Sequence, residues 1–172
     1  GPGFDLTRAR GGIRECEFFA QIHQLIHGGR DPALRAPATV DALHALARAG
    51  HLESEDASIL VDAYRLYRTV EHRLQMVDDQ QTHALPKQAD ALDNVAQLHG
   101  LASGQELLAL LAPHVESVGH LYDALDSDRP DALPQDTEAL EAMLASVGFR
   151  DPLAATQRIS GWRSGQARCQ IG

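Results

Sequence analysis

Residues 54–81 read SEDASILVDAYRLYRTVEHRLQMVDDQQ, and this stretch decides the fold class. Its apolar residues return every three or four positions, which places them on one face of an α-helix. The members of this apolar stripe are Ala63, Tyr67, Val70, Leu74 and Val77. Ser54 is a suitable N-cap residue, so we predict one long amphipathic helix over 54–81.

Turn and capping signals divide the remainder of the chain into shorter predicted helices. Their expected ranges are 13–27, 39–49, 88–99, 104–125 and 137–147. Three of the C-terminal ends are marked by glycines: Gly28, Gly50 and Gly100. Thr39 is expected to cap the second range, and Ser103 with Glu106 forms a capping box before 104–125.

The other signals also favour helices over strands. Residues 3–6 resemble only the tail of a strand, and no alternating apolar and polar run is long enough to build a sheet. Pro113 should bend the 104–125 helix without ending it, because proline removes a single backbone donor. We therefore predict an all-α fold, an antiparallel up-and-down helical bundle with additional C-terminal helices.

Composition and charge limit the compartment and the partners. The chain has 172 residues, of which 44% are hydrophobic, enough for one substantial core. Its formal charge of −9 repels phosphate backbones and anionic lipids, so we expect neither nucleic acid nor a membrane as a partner. Because no export signal, membrane-length apolar run or paired cysteine motif occurs, we expect a cytoplasmic protein.

The C-terminal part is predicted to lie outside the bundle. Residues 127–135 are acidic and contain two prolines, which indicates a linker between a bundle at 13–126 and a further region at 136–172. A helix opened by Asp151 and Pro152 is expected in that region. The triplet Asp126-Ser127-Asp128 has the spacing of a magnesium-binding motif, but in this proline-rich context we interpret it as a solvated turn.

Two polar stripes flank the apolar faces of the first and the longest predicted helices. The first comprises Arg14, Glu17, Gln21 and Gln24, and the second Arg65, Arg68, His72, Gln75, Asp79 and Thr82. Such stripes are either solvated faces, buried ion networks or the walls of a ligand groove. His23 and His27 lie one turn apart but lack a third ligand, so we predict no metal site.

Two sequence blocks resemble the bifunctional glutamine synthetase adenylyltransferase and adenylyl-removing enzymes. The first runs from Phe4-Asp5-Leu6 through Gly11-Gly12-Ile13-Arg14-Glu15-Cys16-Glu17-Phe18 to Gly28-Gly29-Arg30-Asp31-Pro32. The second joins Glu71-His72-Arg73-Leu74-Gln75-Met76 to Asp79-Gln80-Gln81-Thr82-His83 and Leu85-Pro86. Thr7 stands where the family pattern has a lysine, which weakens Thr7 as a ligand contact.

The resemblance implies a domain order and an activity. Residues 1–12 would be the junction with a nucleotidyltransferase domain that carries the metal-binding carboxylates, and 13–126 would be the helical domain that follows, resembling nucleotidyltransferase substrate-binding domains. Residues 136–172 would begin a central linking domain. The half of the enzyme that contains this region would remove AMP from glutamine synthetase by phosphorolysis.

The resemblance also implies cofactors, partners and site residues. Mg²⁺ and ATP or ADP would act in the full-length enzyme and none would bind this chain, while glutamine synthetase, PII signalling protein and glutamine as effector would be its partners. The nucleotide or phosphate candidates are Gly11, Gly12, Arg14, Glu15, Glu17 and Gln21. The second-stripe candidates are Glu71, His72, Arg73, Gln75, Asp79 and Thr82.

Three alternatives remain open from the residues alone. Arg14, Glu17 and residues 71–75 could form a buried ion network that fixes the angle between two domains. The chain could instead be an interaction module that binds PII or glutamine synthetase without contacting nucleotide. A free-standing helical enzyme using Glu71, His72 and Asp79 is a third possibility, although nothing supplies a nucleophile or cofactor.

Overall fold

The described part of the chain is helical. The computed structural model describes residues 4–27, 38–77, 83–128, 136–146, 153 and 156–157. The helices are α1 (Ile13–His27), α2 (Thr39–Arg48), α3 (Ser54–Val77), α4 (Ala89–Leu98), α5 (Gly104–Asp128) and α6 (Thr137–Ser146). Within these ranges the only β-type pairing is an isolated antiparallel bridge between Asp5 and Ala84. The predicted all-α class is confirmed, whereas the up-and-down helix order stays a prediction.

The chain divides into two compact units. The first consists of Gly1–Phe18 and Glu53–Tyr122, and the second of Phe19–Leu52 and Asp123–Gly172. In the first unit, the predicted apolar stripe of α3 supplies much of the core: Ala63, Tyr67, Val70 and Leu74 are buried. Burial of each large apolar side chain of this kind contributes about 1.5–3 kcal/mol. Val77, the last member of the stripe, is instead 42% exposed.

The second unit has a core of its own. The buried residues of α2 are Ala42, Leu43, Ala45 and Leu46, the pattern of one helical face. From α1 the unit receives Phe19, Ile22 and Leu25, all buried. The imidazole rings of His27 and His51 stack in parallel with centroids 3.8 Å apart, so His27 takes part in ring packing.

Three sequence expectations need correction. The N-cap of α2 is Ala38 and not Thr39, because Thr39 is already the first residue of the helix. The interpretation of Asp126-Ser127-Asp128 as a turn is wrong, since α5 continues to Asp128 and takes in the first residues of the expected linker. Residues 3–6 form no strand tail among those described, only the single bridge at Asp5.

Other expectations agree with the structure or lie outside the described residues. Glu106 N–H donates to the Ser103 hydroxyl at 3.4 Å, which is one half of the predicted capping box, while the Glu106 carboxylate accepts from Ala102 N–H at 2.8 Å, one residue before the capping-box position. Helix α5 runs without a break past Pro113. Gly50 and Gly100 have the positive φ angles of helix C-caps. The predicted extension of α3 to residue 81, and the helix opened by Asp151 and Pro152, begin outside the described residues.

The segment before α1 is held on both of its edges by backbone hydrogen bonds. On one edge, Leu6 N–H donates to His83 O at 2.9 Å and Leu85 N–H donates to Phe4 O at 2.8 Å. On the other edge, the first turn of α1 donates to the carbonyls of Leu6 and Thr7 at 2.8 and 3.0 Å. The two family-like sequence blocks are therefore neighbours in space.

The turn into α1 requires two glycines. Gly11 has φ of 76°, a region that L-residues with side chains avoid, and a Cβ there would lie 2.2 Å from Val115 O of α5. A Cβ on Gly12 would lie 2.7 Å from Leu6 O. Both contacts involve backbone atoms, which cannot rotate away, so these glycines fix how closely the turn approaches its neighbours.

Gly11→Ala and Gly50→Ala form a matched pair that tests this close approach. Both positions have positive φ, but nothing lies within 4 Å of a Cβ at Gly50. Gly50→Ala should lower the free energy of unfolding by about 1–2 kcal/mol, the left-handed backbone cost alone. Gly11→Ala should cost roughly 1–3 kcal/mol more, because overpacking is added. Urea denaturation followed by circular dichroism measures both, and equal losses would contradict the close approach at Val115.

Candidate functional site

The candidates on α1 separate into buried and exposed groups. Glu15 is only 7% exposed, and its Oε2 accepts a hydrogen bond from Gly11 N–H at 3.1 Å. Glu17 is half-buried and accepts from the Tyr64 hydroxyl at 3.3 Å. Arg14, between them in the first turn, is exposed. Gln21 is half-buried and belongs to the second unit, whereas the other five candidates belong to the first.

The backbone donors at the start of α1 are largely used inside the protein. Gly12 N–H donates to Ala9 O, and the N–H groups of Ile13 and Arg14 donate to Leu6 O and Thr7 O. With Gly11 N–H on Glu15, four successive donors of the glycine turn are paired. Any contribution of these glycines to anion binding would therefore be indirect, through the position they give to the Arg14 side chain.

A second cluster of charged residues surrounds Glu71 of α3. Its side chain is 8% exposed, with Oε2 accepting from Arg68 Nη1 at 3.0 Å and Oε1 lying 2.7 Å from His83 Nδ1. A buried carboxylate costs several kcal/mol of desolvation unless such partners are present. Glu71 was predicted from the sequence as a site residue, whereas His83 was not. The available signal was that Glu71 lies between Tyr67 and Leu74 on the apolar face, where a charge needs a partner.

Arg73 has a different role from Glu71. Its Nη1 donates to Leu98 O, a carbonyl at the C-terminal end of α4, where a positive charge is favoured by the helix dipole. Burial of the His99 imidazole lowers the pKa of His99, and the positive charge of Arg73 contributes less to the same shift. Arg73 therefore joins α3 to α4 inside the first unit rather than pointing to a ligand.

The remaining second-stripe candidates are not brought into this cluster. His72 and Gln75 are exposed on α3, and the structure gives neither a hydrogen bond nor an ion pair with the described residues. Asp79 and Thr82 lie outside the described residues. The second-stripe candidates that the structure describes are thus one buried carboxylate, one interhelical arginine and two exposed side chains.

Cys16 is not an activated nucleophile. Burial, strengthened by the charges of Glu15 and Glu17, raises the pKa of its thiol from 9.0 to about 12. Burial also raises the pKa of the neighbouring Tyr67, with Cys16 and Glu15 as lesser causes. Because the thiolate is the reactive form, a cysteine in this environment is inert at neutral pH.

Two kinds of site do not occur among the described residues. No group of three or more His, Cys, Asp or Glu side chains there is placed to hold a metal ion. None of the helices in the described ranges is both long enough and apolar enough to cross a membrane. What the described residues do offer is two buried carboxylates: Glu15, which accepts from the N–H of buried Gly11, and Glu71, which holds the partly exposed His83.

Comparison with known proteins gives relatives that share one name. A family model described as GlnD PII-uridylyltransferase matches residues 2–126. The bifunctional glutamine synthetase adenylyltransferase/adenylyl-removing enzyme of Caulobacter vibrioides is 41% identical over 174 residues, which covers 95% of this chain and 18% of the relative. The enzyme of the same name from Xanthobacter autotrophicus is 38% identical over 180 residues, covering 99% and 18%.

The third relative agrees with the first two. The same-named enzyme of Xanthomonas axonopodis pv. citri is 41% identical over 165 residues, covering 91% of the chain and 18% of its own length. The chain therefore spans less than a fifth of the length of the relatives it matches. The family model is named for a PII-modifying enzyme and the relatives for glutamine synthetase. The relatives match nearly the whole chain, whereas the family model matches residues 2–126.

The raised thiol pKa of Cys16 predicts how stability depends on alkaline pH. Above pH 9 the unfolded chain loses the thiol proton while the folded chain keeps it, so the free energy of unfolding should fall between pH 9 and about 12. In a Cys16→Ala variant the slope of the free energy of unfolding against pH should be shallower by an amount that corresponds to about one proton. Denaturant titrations at several alkaline pH values measure the slope, and parallel slopes for the two proteins would contradict the burial of the thiol.

Proposed function

The chain belongs to the family of bifunctional glutamine synthetase adenylyltransferase/adenylyl-removing enzymes, and we propose that it is the helical domain completing the cleft for AMP removal by phosphorolysis. In this proposal the domain closes over a catalytic domain elsewhere in the full-length protein. The enzyme works in the cytoplasm and regulates nitrogen assimilation. The chain by itself is inactive, because the paired carboxylates that hold Mg²⁺ belong to the catalytic domain.

The position of Arg14 carries the proposal. Its side chain is exposed, whereas the carboxylate of Glu15 next to it is buried and paired within the protein. The backbone of Arg14 is fixed by its hydrogen bond to Thr7 O at 3.0 Å. A guanidinium held on a rigid turn and open to solvent suits a planar, bidentate contact with a phosphate group. We assign this contact to the nucleotide or to inorganic phosphate.

Glu15 and Glu17, the two acidic candidates on α1, are held within the protein and are not assigned a ligand contact. Glu15 closes the glycine turn, and Glu17 is held by the Tyr64 hydroxyl. Mg²⁺ and ATP or ADP are cofactors of the full-length enzyme, bound mainly by the catalytic domain. Glutamine synthetase is the substrate protein, with PII and glutamine as regulators of the balance between AMP addition and removal.

A second function, a module that binds PII or glutamine synthetase without touching nucleotide, is favoured by one observation. Met76, Val77 and Leu98 are large apolar residues at the ends of α3 and α4, and they are 64%, 42% and 42% exposed. The Arg73 to Leu98 hydrogen bond joins these two helix ends. Pull-down of either protein by the isolated chain, lost in Met76→Asp, would support this function over the cleft.

Replacing Arg14 tests the proposed function. In the full-length enzyme, Arg14→Ala should lower kcat/KM for AMP removal about 100-fold, the usual effect of losing one charged donor to a reacting phosphate. Arg14→Lys should recover only part of the loss, because an ammonium group cannot make the bidentate contact. Steady-state kinetics with adenylylated glutamine synthetase and inorganic phosphate give both values.

Arg48→Ala is the matched control for this experiment. Arg48 is also an exposed helical arginine, at the last turn of α2, so its removal changes the net charge equally. Its kinetics should equal those of the unmodified enzyme. Unchanged deadenylylation in Arg14→Ala, with an unchanged melting temperature, would remove Arg14 from the cleft and with it the main support for the proposal.

A further inference from the structure

The His83 and Glu71 pair has the geometry of a carboxylate that orients an imidazole. Glu71 Oε1 lies 2.7 Å from His83 Nδ1, a short distance for a charge-assisted hydrogen bond. A carboxylate only accepts hydrogen bonds, so His83 Nδ1–H donates and the ring proton of the neutral imidazole is placed on Nδ1. Nε2 then carries the lone pair and is the atom that can take up or release a proton.

The two side chains of this pair differ in their exposure to solvent. The Glu71 side chain is 8% exposed, whereas that of His83 is 40% exposed. No second hydrogen bond of the His83 ring occurs among the described residues. The His83 backbone is also fixed, since its carbonyl accepts from Leu6 N–H at 2.9 Å. The ring is therefore anchored at Nδ1 and open to solvent over part of its surface.

A second His–Glu pair shows what a surface contact looks like in the same protein. His120 and Glu116 on α5 lie 3.7 Å apart, with side chains 74% and 76% exposed. Such an i,i+4 pair contributes a few tenths of a kcal/mol and orients nothing. Glu71, in contrast, is buried and has its other oxygen bound to Arg68 Nη1 at 3.0 Å. That second bond fixes the carboxylate in one orientation.

The His83 pair and Arg14 lie against the same short segment. His83 O accepts from Leu6 N–H, and Arg14 N–H donates to Thr7 O, the next residue along. The two residues are thus attached to opposite edges of residues 6–7. One segment therefore fixes the backbones of both residues, whose side chains offer an exposed guanidinium and an imidazole nitrogen.

We infer that His83 Nε2 is the proton-transfer group for the phosphorolysis reaction, with Glu71 and Arg68 as positioning residues. This inference rests on the proposed function. In the reaction an oxygen of hydrogen phosphate forms a bond to the phosphorus of AMP, and the bond from that phosphorus to the tyrosine oxygen breaks. Nε2 takes the proton that hydrogen phosphate loses and returns it to the tyrosine oxygen, which leaves with the electron pair. The products are ADP and tyrosine, and His83 ends as it began.

The first test replaces His83 in the full-length enzyme. His83→Gln, which keeps a polar side chain but cannot carry a proton, should lower kcat for AMP removal about 100-fold or more, with KM for the adenylylated protein little changed. His83→Ala should be equally slow, and added imidazole should restore part of its kcat. Glu71→Gln should lower kcat roughly 10–100-fold, because the orienting partner is lost. His120→Gln is the control and should leave kcat unchanged.

A second measurement reads the orientation directly. Long-range proton–nitrogen NMR spectra of this chain with ¹⁵N-histidine should show the Nδ1–H form for His83 at alkaline pH. Glu71→Gln should reduce that form. A dominant Nε2–H form in the unmodified protein would overturn the inference.

The outcomes separate this inference from the proposed function. If His83→Gln keeps its kcat while Arg14→Ala loses activity, the proton-transfer role fails and the cleft function stands. If the His83 variants lose activity together with their thermal stability, and imidazole restores nothing, His83 is a structural contact and the inference also fails. If Arg14→Ala and His83→Gln are both fully active, both proposals fail.

Discussion

Pairing of residues 4–7 on both edges is the constraint on which the rest of the first unit depends. Four backbone hydrogen bonds of 2.8 to 3.0 Å join this segment to residues 83–85 and to the first turn of α1. Each contributes about 1 kcal/mol, and an unmade one in a buried place would cost more. The side chains of Leu6 and Leu85 are both buried. Without this pairing, neither the start of α1 nor the segment at His83 would have a defined position.

The glycine turn follows from that constraint. Once Leu6 and Thr7 receive the N–H groups of α1, the chain has only residues 8–12 in which to reverse and enter the helix. The reversal requires a positive φ at Gly11 and lets its backbone meet Val115 of α5. Glu15 then uses its carboxylate on Gly11 N–H. A buried ion pair or carboxylate adds little net stability, so the effect of Glu15 and Glu71 is mainly to fix the conformations of their neighbours.

The sequence was sufficient for most of the fold because helix signals are local. The range of α1 and the start of α5 were predicted to the residue, since caps, glycines and apolar spacing all act within a few positions. The cap predicted at Thr39 and the turn predicted at Asp126-Ser127-Asp128 were wrong, because residues that favour caps and turns do not by themselves decide where a helix begins or ends. The pair of Glu71 and His83 spans 12 residues and a change of direction, so spacing alone could not predict it.

The glycine turn is a formally neutral stretch in an acidic protein. The net charge is −9, yet Arg8, Arg10 and Arg14 lie within seven residues, and all three are exposed. The guanidinium of Arg10 lies over Gly119 of α5, where a Cβ would come within 3.0 Å of its Cζ. Screening at physiological salt acts over about 8 Å, so acidic residues elsewhere on the surface hardly weaken the field of this turn. Three carboxylates lie in the same stretch: Asp5 accepts the N–H groups of Thr7 and Arg8, Glu15 is buried and Glu17 is half-buried. Residues 4–18 are thus formally neutral, whereas the whole chain carries −9. The exposed charged side chains of this stretch are its arginines, so the outer face of the turn presents guanidinium groups.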